Sequence, residues 1–524
     1  MAILKLIMAK ILMRARQSWP FLLVIFLLLV VYWPGLTAIY GIHTDYSLLF
    51  KYKQSWFGFI ETDQLFQVGR PLNGIASNII FNTVNSIESF ILWRWIAFGF
   101  MAWFLFIFWG YLRFNCKVHG FLASMVITLI GLTPAVAIYG LWVSLIFQGI
   151  PTVLMSTGAY FCLNRGRSGA RWMRTDPAGI GWILTAALVF ILALYLYPPV
   201  ALAVFLFTFA HLVFVPLSQW VETRRRVIMD VSLFSIAIIV YRITERFWVT
   251  PFLIRNQPDH PLPACYDMAI GPNFFAKAHV LLETMNVSVA GPWHFFSPRY
   301  GWLIPAVFIC SMMVFSLYAR RHFLSFSFMH VKVTLERSFW VVLVLLLASL
   351  PVIMPKGVVE LLGYRLVPVS CCMIILLFVA MLGWTFSLKK NIFFMRCAVV
   401  YVLLSAAIVS GAFSRVVSNY TRELDHVRSS LASEDISKKT LFVYIQLPPN
   451  TSFIRDALPY EYSLMITVYQ HFVPLVTEAL NSMGRSRESA YYQVLPSEYH
   501  GRVKPDPRLL VIDPQELQYW RKGQ

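Results

Sequence analysis

Residues 89–112 read SFILWRWIAFGFMAWFLFIFWGYL, and this stretch decides the class of fold. As a helix it is long enough to cross about 30 Å of hydrocarbon, and Arg94 is its one charged residue. Over the whole chain of 524 residues, 58% are hydrophobic and 13% are charged. Soluble proteins have about 25% charged residues, so this composition excludes a soluble multi-domain enzyme, a disordered chain and a collagen-like fibre. The sequence predicts a polytopic membrane protein.

Eleven apolar runs of this kind occur along the chain, and they predict an all-α membrane domain with about eleven transmembrane helices. They lie near residues 20–40, 89–112, 119–139, 140–163, 179–197, 200–218, 228–245, 301–319, 338–355, 366–388 and 391–413. The first run is predicted to be a retained span, because it lacks a small-residue cleavage site. The turn at Tyr139-Gly140 is so short that residues 119–163 allow a different arrangement.

The connections between these runs alternate in charge. One set carries twenty Lys and Arg against three acids, whereas the other set carries nine acids. Cytoplasmic connections are enriched in Lys and Arg, so the alternation predicts a cytoplasmic N-terminus and, with an odd number of spans, an outer C-terminal region. The same rule explains Arg224-Arg225-Arg226 as a topology signal rather than a nucleic-acid site, although the net charge is +19.

The predicted domains follow from this map. Residues 1–413 form the membrane domain, with outer loops at 41–88, 246–300 and 355–365. The composition becomes more charged after residue 414, with strand-like runs at 440–446, 491–495 and 509–512 and a helical stretch near 462–483. Residues 414–524 are therefore predicted to form a small α/β domain on the outer side.

Four ionisable residues lie in or at the edges of the predicted spans: Arg94, His211, Asp230 and Arg242. All except His211 are close enough to a span end to extend to the interface, which favours a structural role over a proton relay. Walker, GxGxxG, GxSxG and HExxH motifs are absent from the sequence, so neither nucleotide hydrolysis nor a metalloprotease is indicated.

The outer loops carry the candidate site. The catalytic candidates are three acids of the first loop, because a carboxylate can deprotonate an attacking hydroxyl: Asp45, Glu61 and Asp63. Cations on these loops can hold phosphate oxygens, Arg in a bidentate fork. The candidates for substrate binding are three cations and two neighbouring side chains: Arg70, Lys356, Arg365, His43 and Tyr364. This arrangement indicates chemistry on a lipid-borne substrate whose phosphate lies at headgroup depth.

The order of these features is typical of one family. Asp45 follows the first span, an interfacial helix and Gly69-Arg70-Pro71-Leu72 come next, and Arg365 stands three residues before Pro368 at the start of a late span. This pattern resembles the GT-C superfamily of polyprenyl-phosphate-sugar-dependent glycosyltransferases, in particular the serotype-converting O-antigen glucosyltransferases. Many members have two adjacent acids where this chain has Thr44-Asp45. The second acid therefore stays open among Glu61, Asp63 and none.

The resemblance implies an enzyme of the bacterial inner membrane, a polyprenyl-phosphate-sugar-dependent hexosyltransferase. It would move a sugar, expected to be glucose, from undecaprenyl phosphate to a lipid-linked O-antigen or related surface glycan on the periplasmic side, with inversion. Its partners would be this lipid-linked donor, the lipid-linked polysaccharide acceptor, membrane lipids and a separate donor-flipping membrane protein, with no nucleic acid. No cofactor is required and no metal site is assigned; a divalent cation between Asp45 and Asp63 is the alternative.

Other functions stay open at this stage. A related enzyme could use lipid A, teichoic acid or a protein as its acceptor. A flippase for lipid-linked oligosaccharides would need charges that line a cavity across many spans, whereas here the charges are concentrated in outer loops. An O-antigen polymerase is expected to have basic outer loops, which contrast with the acid-rich first loop of this chain.

Overall fold

In a computed structural model of the chain, the structure describes residues 2–41, 72–76, 84, 86–141, 143–169, 177–249, 286–297, 300–319, 328–353, 368–385 and 392–432. In the C-terminal region it describes residues 441–445, 475–476, 479–480, 483, 492–495 and 509–512. Helix predominates over this part of the chain. The main helices, numbered here in chain order, are α1 (Ala2–Thr37), α2 (Ser89–Phe114), α3 (Gly120–Leu132), α4 (Pro134–Leu141), α5 (Val143–Gly169), α6 (Pro177–Leu196), α7 (Pro198–Ala201), α8 (Val204–Phe214), α9 (Trp220–Thr244), α10 (Leu303–Ala319), α11 (Phe328–Ala348), α12 (Leu350–Ile353), α13 (Pro368–Thr385) and α14 (Ile392–Ala432).

Several of these helices are long and apolar enough to cross a membrane, which identifies a membrane protein. Among the described residues five pass by length and composition: Trp19–Thr37, Ser89–Phe114, Ala178–Leu196, Leu217–Trp248 and Phe393–Ala432. A sixth is added if α3 and α4 count as one broken span. Every predicted span overlaps a helix of the structure, but the number of eleven spans stays a prediction.

The break between α3 and α4 corrects the predicted third span. The two helices are bent by 67° around Thr133, so the span is broken there, and Tyr139-Gly140 lies in the last turn of α4, just before α5 begins at Val143. The cause is local, because Pro134 restricts Thr133 to an extended conformation (φ −71°, ψ 136°) and then starts the next helix at its favoured first position. α3 itself packs closely on α1: the Tyr32 hydroxyl donates to the Gly131 carbonyl at 2.8 Å, and a Cβ on Gly131 would approach Leu28 to 2.7 Å.

The last helix crosses the predicted domain boundary. α14 runs from Ile392 to Ala432 without interruption, so residue 414 lies inside one continuous helix. Its C-terminal part is amphipathic, and its buried side chains Val427 and Leu431 belong to the same hydrophobic core as Leu475 and Leu480 of the C-terminal region.

Three short strands follow α14, at β1 (Leu441–Ile445), β2 (Tyr492–Leu495) and β3 (Leu509–Ile512). They form a parallel sheet with the order β2-β1-β3, in which Val443 is paired with Val494 on one side and with Leu510 on the other. Each strand lies within one of the strand-like runs of the sequence. The α/β domain as a whole stays a prediction, because most of its residues lie outside the described part.

Candidate functional site

All eight side chains predicted to act on the substrate lie outside the described residues. They are Asp45, Glu61 and Asp63 as catalytic candidates and His43, Arg70, Lys356, Tyr364 and Arg365 as binding candidates. The structure does describe the chain beside them: Gly41, the helical segment 72–76, Ile353 and Pro368. These residues hold the ends of the loops that carry the candidate site.

A buried arginine holds the chain where it leaves α1. Arg94 is completely buried in α2 and donates to the carbonyl of Ala38 at 3.1 Å and to the carbonyl of Tyr40. Its guanidinium also lies 3.6 Å from the centre of the Tyr40 ring, a cation–π contact. These contacts, called the Arg94 clamp here, fix the backbone five residues before Asp45. The expectation that Arg94 extends to the membrane interface is wrong, because the bundle encloses its side chain.

The clamp is continued by the last helix. The ring of Tyr40 stacks on that of Tyr420 in α14, with centroids 6.2 Å apart and planes 10° apart. Glu423 follows one turn later on the same face and is also completely buried. The end of α1, the start of α2 and the C-terminal part of α14 thus meet at one place, which is called the loop end of the bundle here.

Polar groups around the start of α2 strengthen this meeting point. Glu88 precedes α2, and the hydroxyl of Ser86 is the main cause that lowers the pKa of its carboxyl, with a further contribution from Arg428 of α14. Asn73, three residues after Arg70, is completely buried. Both flanks of the first predicted outer loop are therefore packed into the protein at the loop end.

An apolar slot opens one helical turn below the clamp. It has a volume of about 100 Å³, and along α2 it extends from Ala97 to Leu105, about 12 Å at 1.5 Å per residue. The other walls come from α3, α4, α5, α7, the segment before α8, α8 itself and the start of α13. Pro368, the first residue of α13, and the partly exposed Phe100 also line it.

The slot and the clamp share a face of α2. Ala97 stands three residues after Arg94, so the two lie on one side of the helix, about 4.5 Å apart along its axis. Pro368, which lines the slot, is three residues after Arg365. α2 thus carries both the clamp at the start of the first predicted loop and one wall of the slot that Pro368 also lines.

A second cavity lies on the other side of α13. It has a volume of about 180 Å³ and is lined by residues 288–292 together with side chains of α3, α10, α13 and α14. Residues 286–295, which the sequence assigns to an outer loop, are largely buried here: Ser288, Ala290, Trp293 and His294 are each at most 8% exposed. Burial lowers the pKa of His294 to about 4.

The opposite end of the bundle holds a polar cluster that the sequence analysis missed. Asp230 of α9 is completely buried; its Oδ1 lies 2.8 Å from Nη2 of Arg167 in α5, and its Oδ2 accepts from the hydroxyl of Thr208 at 2.8 Å. Arg226, one turn before Asp230, donates to the hydroxyl of Tyr160 at 2.6 Å and to Oδ1 of Asn164 at 3.0 Å. Asp230 is thus paired inside the bundle and does not extend to the interface.

The position of this cluster is fixed by α2. The hydroxyl of Tyr111 is 2.7 Å from that of Tyr160, and Tyr111 lies seventeen residues after Arg94, about 26 Å along the helix. This end, called the basic end here, is also where α5 ends and α9 begins. The spacing of these residues in the sequence could have indicated the cluster. One face of α5 carries Tyr160, Asn164 and Arg167, and one face of α9 carries Arg226 and Asp230.

Two further arginines have ordinary partners, whereas Nδ1 of His211 is buried without a hydrogen-bond partner among the described residues. Arg242 lies 2.5 Å from Glu245, three residues later, in a partly exposed ion pair. Arg337, which was assigned to the basic connections, donates to the carbonyls of Leu212 and Val215 and so satisfies the last turn of α8. No group of three or more His, Cys, Asp or Glu side chains in the described part of the chain is placed to hold a metal ion.

Comparison with known proteins found no family model, no curated protein and no solved structure that matches this chain.

Proposed function

We propose that this chain is a membrane-bound, polyprenyl-phosphate-sugar-dependent hexosyltransferase. The observation that carries the proposal is the placement of the Arg94 clamp and the apolar slot on one face of α2. A lipid-linked donor needs an apolar path for its chain that ends beside groups able to bind phosphate. Pro368, three residues after Arg365, lines the slot, and the clamp fixes the chain five residues before Asp45.

The chemistry follows from these assignments. Asp45 accepts the proton of the acceptor hydroxyl while its oxygen bonds to the anomeric carbon of the sugar. The bond from that carbon to the phosphate oxygen breaks, with inversion, and polyprenyl phosphate leaves. Arg365, Arg70 and Lys356 stabilise the phosphate dianion, as positioned cations do for charge that develops in a transition state. Glu61 and Asp63 are reserve candidates for the base.

The acceptor in this proposal is also lipid-linked, a surface glycan such as O-antigen. The second cavity supports a second lipid substrate, because it is apolar and lies across α13 from the first slot. The proposal includes eleven spans, the bacterial inner membrane, and a C-terminal α/β domain on the periplasmic side that contributes to acceptor selection.

A transfer assay with purified protein tests the proposal. Polyprenyl-phosphate glucose carrying a labelled sugar and a lipid-linked glycan are supplied together, and both released polyprenyl phosphate and labelled acceptor are measured. We expect equal amounts of the two products. Label that crosses a bilayer without release of polyprenyl phosphate would indicate a flippase and contradict the proposal.

A matched pair of variants links the result to the slot. Ala97→Leu adds bulk to the wall of the slot, whereas Gly99→Leu is on the same helix at a position where an added Cβ meets nothing within 4 Å. We expect Ala97→Leu to raise the KM for the donor several-fold and Gly99→Leu to leave it unchanged. Equal KM values for the two variants would remove the slot from the donor site.

A further inference from the structure

We propose that the polar cluster at the basic end binds one phosphate group, that of an anionic phospholipid. The cluster consists of Arg167, Arg226, Asp230, Tyr160 and Asn164, and it lies about 26 Å along α2 from the predicted catalytic end. The proposal does not depend on the glycosyltransferase activity.

Charge is the first argument. Two guanidinium groups of the cluster, Arg167 and Arg226, face a single carboxylate, Asp230, in the described part of the chain. One positive charge is therefore left over inside the protein. Burial of a charge is costly unless it is paired with an opposite charge and hydrogen-bonded, so the excess favours an anion as ligand.

Unused hydrogen-bond donors are the second argument. Nε of Arg226 and Nη1 of Arg167 are shielded from water, and neither has an acceptor among the described residues. An unsatisfied buried donor costs about 1–3 kcal/mol. Both guanidinium groups lie near the Tyr160 ring, at 5.8 Å and 5.7 Å from its centre. Their free N–H groups therefore belong to one small region.

The arrangement fits phosphate better than a carboxylate or a halide. Two guanidinium groups can each donate two N–H groups to the oxygens of one tetrahedral anion, and a rotation of the Arg226 side chain would present its Nε. Arg226 is partly exposed and Arg167 is 12% exposed, so the cluster is accessible from the end of the bundle. Predicted topology puts this end at the leaflet where anionic headgroups are enriched.

Neighbouring Arg224 provides a control. It is 47% exposed and pairs with Glu336 at 3.1 Å, outside the cluster. Arg224→Gln and Arg226→Gln therefore remove the same charge two residues apart, and only the second removes it from the cluster.

The test measures lipid and phosphate binding by the full chain. Purified protein is placed in nanodiscs of phosphatidylcholine, with or without phosphatidylglycerol, and thermal unfolding and the retained lipid are measured. Inorganic phosphate is added to the phosphatidylcholine sample as a separate arm. We expect phosphatidylglycerol to stabilise the native chain and Arg226→Gln to weaken its binding about tenfold or more, with Arg224→Gln unchanged.

The outcomes separate the sources of the phosphate. Stabilisation by inorganic phosphate that equals that by phosphatidylglycerol would support the site but contradict the lipid as its ligand. The proposal would be overturned if neither phosphatidylglycerol nor inorganic phosphate stabilised the protein. It would also be overturned if Arg224→Gln and Arg226→Gln weakened binding equally. If Arg226→Gln does not fold, Asp230→Asn replaces it: loss of the single carboxylate is expected to tighten binding of the anion, whereas a purely structural cluster gives no gain in affinity.

Discussion

Replacement of Arg94 by lysine tests the most constrained contact of the loop end. Lysine keeps the positive charge and most of the side-chain length. It cannot donate to the carbonyls of Ala38 and Tyr40 in the geometry of the planar guanidinium, nor stack on the Tyr40 ring at 3.6 Å in the same way.

The expected loss follows from these contacts. A hydrogen bond from a charged donor contributes about 1.5–3 kcal/mol, and a buried cation–π contact adds about 0.5–2 kcal/mol. If lysine keeps one of the two hydrogen bonds, Arg94→Lys lowers the free energy of unfolding by about 2–5 kcal/mol. Arg94 is completely buried, so solvent does not screen this effect.

The assay compares Arg94→Lys with Arg242→Lys. Arg242 is also an intramembrane arginine, but it is partly exposed and pairs with Glu245 one turn away, so its replacement is expected to cost less than about 1 kcal/mol. Unfolding is followed by tryptophan fluorescence in detergent, and transfer activity is measured below the transition. We expect Arg94→Lys to unfold at a lower temperature and to lose about tenfold or more in kcat, because the chain before Asp45 is displaced. Equal stability of the two variants would refute the clamp as a fixed point of the fold.

Three other predictions follow. Asp45→Asn keeps the shape and most of the capping ability of Asp, so the protein should fold and bind donor but lose about 10²–10⁴-fold in kcat. If the Asp45→Asn protein stays active while the Asp63→Asn protein is inactive, the base is Asp63. The pKa of His294 is lowered from 6.5 to about 4 in the folded chain. The contribution of His294 to stability is therefore complete above pH 6.5 and is lost as the pH falls towards 4, by about 1.4 kcal/mol per pH unit. His294→Gln should flatten the pH profile of thermal unfolding, and an unchanged slope would contradict the lowered pKa of His294. A periplasm-specific reporter fused after Gln524 should be active, and activity of a cytoplasm-specific reporter there would contradict the predicted topology.

The helices could be predicted from the sequence because a segment that crosses a membrane is a continuous run of apolar residues. A run of about 20 apolar residues must be a helix in lipid, whatever it packs against. The break at Thr133 was missed because the hydropathy of the sequence does not change there. The bend is caused by Pro134, which restricts the backbone of the preceding residue, and hydropathy does not record this restriction.

The environment of the charged residues was not accessible in the same way. Distance from a span end suggested that Arg94 and Asp230 reach the interface, but both are completely buried. Their partners are the carbonyls of Ala38 and Tyr40 for Arg94, and Arg167 and Thr208 for Asp230. These partners are distant in sequence, and only the packing of helices brings them together. The eight candidate site residues remain predictions from the sequence pattern.

The length of α14 has a mechanical consequence. Its 41 residues make a rod of about 62 Å, and residues 414–432 form the last 28 Å or so of it. A rod of this kind acts as a lever: a tilt of about 10° about residue 414 would move its far end, which shares a hydrophobic core with Leu475 and Leu480, by about 5 Å. Tyr420 lies on the same rod and stacks on Tyr40. Movement of the far end of α14 would therefore be transmitted through this aromatic contact to the chain that precedes Asp45.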